Sequence, residues 1–95
     1  MYIILLTFSD NKANASHYMA DHKAWIAKGV EDGTFLIVGS LQPNQGGAII
    51  AHDIEFDALA ARVAEDPFVA EDVVKAEIME ITPSITHERL KFLLD

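Results

Sequence analysis

The 95-residue chain has no cysteine, so no disulfide framework, thiolate nucleophile or thiolate metal ligand is open to it. It is also poor in positive charge: seven Lys and Arg stand against fifteen Asp and Glu, for a net charge of −8. The seven are scattered and form no basic stripe. Nucleic acid and anionic membranes both demand clustered positive charge, so neither is an expected partner. Long hydrophobic runs are missing as well. The apolar opening, residues 1–6, has no basic residue before it and is soon interrupted by Asp10. It is too short for a signal peptide or a membrane span, and the expected location is cytoplasmic. Three prolines and five glycines leave no linker or low-complexity stretch, so the length reads as one domain.

What the chain does have is apolar residues: 51% of the sequence, with a positive mean hydropathy of +0.17. Residues 2–8 form a continuous apolar run, the pattern of a strand covered on both faces. Residues 9–12 read as a loop. Asn14 or Ser16 can then cap a helix reaching about residue 30, with Tyr18, Met19, His22, Ile26 and Val30 as its apolar stripe. Asp32-Gly33 stops it. Residues 34–41 and 47–52 read as two strands joined by the turn at Pro43-Asn44-Gln45-Gly46, an antiparallel pair. Asp53 is the expected cap of a second helix with Phe56, Leu59, Ala60 and Val63 inward, ended by Pro67. Residues 68–72 can add one turn. Residues 74–81 form a fourth strand whose alternation slips at Glu80, which implies either a bulge or a glutamate facing a pocket or interface.

The order β-α-β-β-α-β is the ferredoxin-like split arrangement: an α+β fold with a four-stranded antiparallel sheet and two helices on one face. The expected domain covers residues 1–83. Residues 84–95 form an extension in which Thr86 caps a short helix over residues 87–94, packed on the domain or on a partner. Two helices cover only one sheet face, and the first three strands are nearly all apolar. The other face therefore needs a cover, and a second copy related by a two-fold axis is the economical one. A homodimer, open to higher assembly, is expected.

Three places can carry chemistry. His22 lies in the apolar stripe and points at the sheet. It is either a core histidine bonded to a carbonyl or a general base. Asp66, before Pro67, is either a turn former or the carboxylate that orients an imidazole and fixes its tautomer. Gly39-Ser40 either bends the end of a strand or lets a small ligand approach, with the Ser40 hydroxyl as an anchor. His17, Asp21 and His22 do not share one helical face, so no metal site is expected there. Gly46-Gly47 lacks the lysine and helix start of a phosphate loop. Trp25 reads as packing, and His87 and Glu88 as solvated.

Taken together, Tyr2-Ile3-Ile4-Leu5-Leu6, His22-Lys23-Ala24-Trp25-Ile26, Gly33-Thr34-Phe35, Gly39-Ser40 with Pro43, Gly46-Gly47-Ala48-Ile49-Ile50 and Asp66-Pro67-Phe68 resemble the YciI-like (YCII-related) family in order and spacing. The resemblance spans roughly the first 83 residues. It implies a ferredoxin-like protomer in a dimeric α/β barrel, with the positions of His22 and Asp66 forming a His–Asp pair. Gly39 and Ser40 would line the same pocket, although this chain has Gly-Ser-Leu-Gln-Pro where many relatives have Ser-Gly-Pro. A few relatives remove chloride from substituted hydroxyquinones. The expected function is a small-molecule enzyme of lyase, isomerase or dehydrochlorinase type, with no metal or organic cofactor. The alternatives are a metabolite-binding or accessory protein using the same pocket, or a purely structural pair.

Overall fold

The computed structural model describes residues 1–94. Four strands, β1 (Tyr2–Phe8), β2 (Phe35–Leu41), β3 (Gly46–Ala51) and β4 (Val74–Glu80), form one antiparallel sheet in the order β2-β3-β1-β4. Three helices, α1 (Ala15–Glu31), α2 (Phe56–Ala64) and the four-residue α3 (Pro67–Ala70), pack on one face of it. This is the expected ferredoxin-like α+β fold. No helix among the described residues is long and apolar enough to cross a membrane.

The period-two geometry of a strand sorts the apolar run of β1 into two sets. Tyr2, Ile4 and Leu6 are buried beneath the helices, with Phe35, Ile49, Leu59, Val63, Phe68, Val73 and Val74. Ile3 and Leu5 point to the opposite, helix-free face and are only half-buried. On that same face β1 pairs Ile3 with Ile50 and Met79, and β2 adds Ile37, which is 62% exposed. Within one protomer, then, the run is fully covered on one side only.

The face of α1 that meets the sheet differs from the expected stripe. Val30 is exposed, and the wholly buried helix residue is Gly29. Aromatic packing turns the helix. A Cβ at Gly29 would lie 2.1 Å from the Phe35 ring, so only glycine lets that ring close on the helix. Trp25 sits 5.1 Å from Phe35 between ring centres and donates its indole N–H to the Arg62 carbonyl at 3.1 Å.

Three local expectations are corrected. Asp53 is not the cap of α2: it adopts a left-handed φ of 57°, and Glu55 holds the cap position with extended backbone. Aspartate tolerates that left-handed geometry, so the chain turns there before the helix begins. Pro67 does end α2 as expected, since Asp66 leaves helical geometry right after the Glu65 cap, and it also opens α3 at the start of that helix, where its missing N–H costs nothing. No bulge interrupts β4, which runs in continuous register against β1 from Val74 opposite Phe8 to Glu80 opposite Tyr2. Glu80 therefore shares the helix-covered side but lies at its solvent-exposed end. Finally, the extension carries the expected short helix, Glu88–Leu94, in 3-10 form, but Thr86 does not cap it. The buried Thr86 hydroxyl has no partner among the described residues, and the His87 ring accepts from the Arg89 N–H instead. Asp95 lies outside the described residues.

The junction after α1 is clamped to α2. Asp32 accepts the Thr34 backbone N–H at 3.0 Å and an Arg62 guanidinium N–H at 2.6 Å. Arg62 also donates to the Thr34 hydroxyl at 3.2 Å. The Thr34 backbone N–H first, then its hydroxyl and the Arg62 charge, hold the Asp32 carboxyl down at about 2. A carboxyl depressed in the folded state contributes stability that is complete above the ordinary carboxylate range and is lost as pH falls through the folded value. Asp32→Asn should therefore lower the thermal midpoint at pH 7. The gap from wild type should close as the pH is brought from about 4 towards 2. A gap that is constant over this window would show that Asp32 titrates normally in the folded protein.

Candidate functional site

Asp66 is set by the turn that starts α3. Its backbone is extended (φ −58°, ψ 123°) and its Oδ1 accepts the Phe68 backbone N–H at 3.0 Å, the ordinary work of an N-cap. The same oxygen lies 2.7 Å from Nδ1 of His22 on α1. The carboxyl group is completely buried, and the imidazole is 13% exposed. A carboxylate can only accept, so Nδ1 donates. That fixes the neutral ring as the Nδ1–H tautomer and leaves the Nε2 lone pair unused, since no described residue bonds it. The Phe68 ring stacks on the imidazole at 3.9 Å between ring centres, nearly parallel at 3°. Orientation is thus imposed twice, by the carboxylate at the ring edge and by the phenyl ring on its face. The second oxygen of Asp66 is buried and has no partner among the described residues.

His22 forms part of the wall of a cleft of about 390 Å³ between α1 and the helix-facing side of the sheet. Met19 and Ile26 flank it on the helix, Leu6 and Phe8 come from β1, and Val38, Gly39 and Ser40 from β2. The walls are apolar except at His22 and Ser40. No charged side chain lines the cleft among the described residues, so it offers no cradle for phosphate or other polyanions. An uncharged, partly apolar small molecule suits it.

The sequence-predicted residues sort as follows. His22, Ser40 and Gly39 line one cleft, and Asp66 stands behind His22 without reaching the cleft itself. Of the two readings of His22, a bond to a backbone carbonyl is not observed. His17 stacks edge-on against Tyr18, away from the pair. Sequence reasoning passed over Phe68, Met19 and Gly47. Phe68 had a signal: it follows Asp66-Pro67 directly, so one tight turn presents both the capping N–H and the stacking ring. Met19 was visible as stripe, but nothing in its spacing told wall from core. Gly47 was considered only as a phosphate loop.

No protein-family model matches the chain, and no curated protein matches it. Among solved structures it is similar to 5-chloro-2-hydroxyhydroquinone dehydrochlorinase (TftG) from Burkholderia phenoliruptrix AC1100, solved in complex with 2,5-dihydroxybenzoquinone. The TM-score is 0.68 over 85% of this chain and 93% of that one, at 13% identity. A likeness at that identity establishes the shared fold.

Proposed function

We propose that this chain is a small-molecule enzyme of lyase, isomerase or dehydrochlorinase type in which His22 moves a proton and Asp66 orients it. The observation that carries the reading is the buried carboxylate 2.7 Å behind an imidazole that lines an apolar cleft and whose other nitrogen has no partner among the described residues. A base held this way is fixed in tautomer and direction, and its imidazolium is stabilised as it forms. Proton abstraction suits a site with a single titratable side chain in its wall. In an elimination, Nε2 takes a proton from the substrate, the released electron pair forms the new double bond, and the leaving group departs with its own pair. The imidazolium then returns the proton to solvent. Ser40 would hold a substrate oxygen and Gly39 would let the ligand approach the strand. Neither a metal nor an organic cofactor is required by this scheme.

The fold shared with a dehydrochlorinase makes chlorinated hydroxyhydroquinones the first compounds to try, and membership of the YciI-like family is part of the same reading. So is a homodimer, for which the uncovered apolar sheet face is the support. A second reading, a metabolite-binding or accessory protein, is favoured by the shortage of polar groups: among the described residues, His22 and Ser40 are the only polar side chains in the wall.

The test is chloride release from 5-chloro-2-hydroxyhydroquinone and related ring compounds by wild type and His22→Ala, with folding followed by circular dichroism. Loss of a general base should cut turnover by roughly 10²–10⁴ with the fold retained. Full turnover in His22→Ala would end the assignment of His22 as the base. Binding without turnover by wild type would favour the second.

A further inference from the structure

We propose that Gly47 determines the size and flatness of the molecule the cleft accepts, an inference that rests on the reading of the cleft as a small-molecule site. The two adjacent glycines of β3 have different reasons to be glycine. Gly46 is obligatory: its φ is +128°, and a Cβ there would lie 1.9 Å from the Leu6 carbonyl oxygen. Gly47 has no left-handed φ, and its Cβ would meet only the Gly39 carbonyl oxygen, at 3.3 Å. That contact is tight and made with backbone, so a side chain at 47 asks Gly39 to yield by a few tenths of an ångström, far less than one at Gly46 would require. In the interior of a strand a glycine forfeits side-chain packing and costs more conformational entropy than any other residue. Such a residue is kept where something else must approach the backbone.

The register says what. Gly47 lies directly opposite Leu6 of β1 and Ser40 of β2, in the row of residues that faces the helices. Its missing side chain leaves bare peptide between the Leu6 side chain and the Ser40 hydroxyl, in the wall of the cleft that His22 also lines. A flat ring can lie on that peptide, with one edge at Ser40 and another within reach of Nε2. Any side chain at 47 would project into the same space, beginning with a single methyl group. The site thus selects molecules about one planar ring thick, and rejects bulkier frameworks built on tetrahedral carbons.

The experiment compares wild type, Gly47→Ala and Gly47→Val, with hydroquinone, a flat ring that is uncharged at neutral pH, as the probe. Binding is read from the His22 ring signals by NMR, and folding from thermal unfolding. Methyl-sized intrusions in a pocket discriminate by roughly 10–200-fold, so Ala should weaken binding about tenfold and Val at least a hundredfold, each variant remaining folded. Equal binding by all three proteins would overturn the role of Gly47 and leave the site itself standing. Loss of folding in Gly47→Ala would make the residue a structural glycine and overturn the proposal equally. If the probe leaves the His22 signals of wild type unmoved at millimolar concentration, the small-molecule reading of the cleft falls, and the inference falls with it.

Discussion

Asp66→Ala is expected to lower the unfolding free energy by roughly 2–4 kcal/mol and to release the His22 ring from a single tautomer. Two losses combine. Removing an N-cap acceptor costs about 1 kcal/mol, here the bond from the Phe68 N–H. Removing a buried partner from a charge-assisted hydrogen bond costs about 1.5–3 kcal/mol, here the His22 bond at 2.7 Å. One term opposes them. The second carboxyl oxygen is buried without a partner, and alanine abolishes that burden, which holds the total below a simple sum. Asp66→Ser separates the two losses. A serine still caps α3 but is too short to reach the imidazole, so its deficit measures the His22 bond alone. Denaturant melts give the energies, and ¹⁵N shifts of the imidazole give the tautomer. Wild type should show the neutral ring protonated at Nδ1, and both variants should show the Nε2–H form as well. A cost for Asp66→Ala of under about 1 kcal/mol, together with unchanged ring shifts, would mean that the pair does not form in solution.

That pair also marks how far the sequence could be read. Strands announce themselves through local pattern: the apolar runs 2–8 and 35–41, punctuated by Gly33, Pro43 and Gly46, place β1, β2 and the hairpin without any knowledge of tertiary contacts. The short turn at residues 43–46 forces β2 and β3 into an antiparallel pair, and the element order then matches the split arrangement in which β1 sits between β3 and β4. Errors begin where tertiary packing overrules local preference. Nothing in the spacing of α1 reveals that Gly29 must yield to the Phe35 ring, and that contact exposes Val30. Asp53 and Glu55 both sit where a cap is needed, and only the left-handed turn at Asp53 decides between them. His22 could be placed on the sheet-facing side of its helix, and Asp66 in extended geometry before a proline. Their meeting could not be read, since 44 residues separate them and no periodicity spans that gap. A resemblance in motif order supplied the pairing, and the docking of α3 against α1 accounts for it physically.

A second large effect is expected at the helix-free sheet face: Ile50→Glu should weaken a homodimer at least 30-fold, and Ile37→Glu should do the same with less disturbance of the protomer. The face carries Ile3, Leu5, Ile37, Ile50 and Met79, and a soluble chain rarely leaves so continuous an apolar surface uncovered. The only charges among its β4 residues are Lys75 and Glu77, one of each sign, which a two-fold axis can bring together. Size decides what else takes part. Four strands about 4.8 Å apart, three of seven residues and one of six, at about 3.3 Å per residue give a sheet of roughly 430 Å² in plane. A stable interface needs about 800 Å² from each partner. Side-chain relief closes part of that difference, and the extension offers the remainder. Its Ile85 is 90% exposed, and Leu90 and Phe92 border an apolar groove shared with Leu36, Ile37 and Ile50 of the open face. A glutamate at the centre of such a face loses an apolar anchor and must bury a charge, a change worth about 2 kcal/mol or more, which is the 30-fold quoted. Deleting residues 84–95 should weaken association as well, by removing contact area without adding a charge. Sedimentation equilibrium over micromolar concentrations reads all three effects. A wild-type protein that sediments as a monomer at the top of that range would show that the open face has no second copy upon it, and the apolar residues there would then call for a different cover.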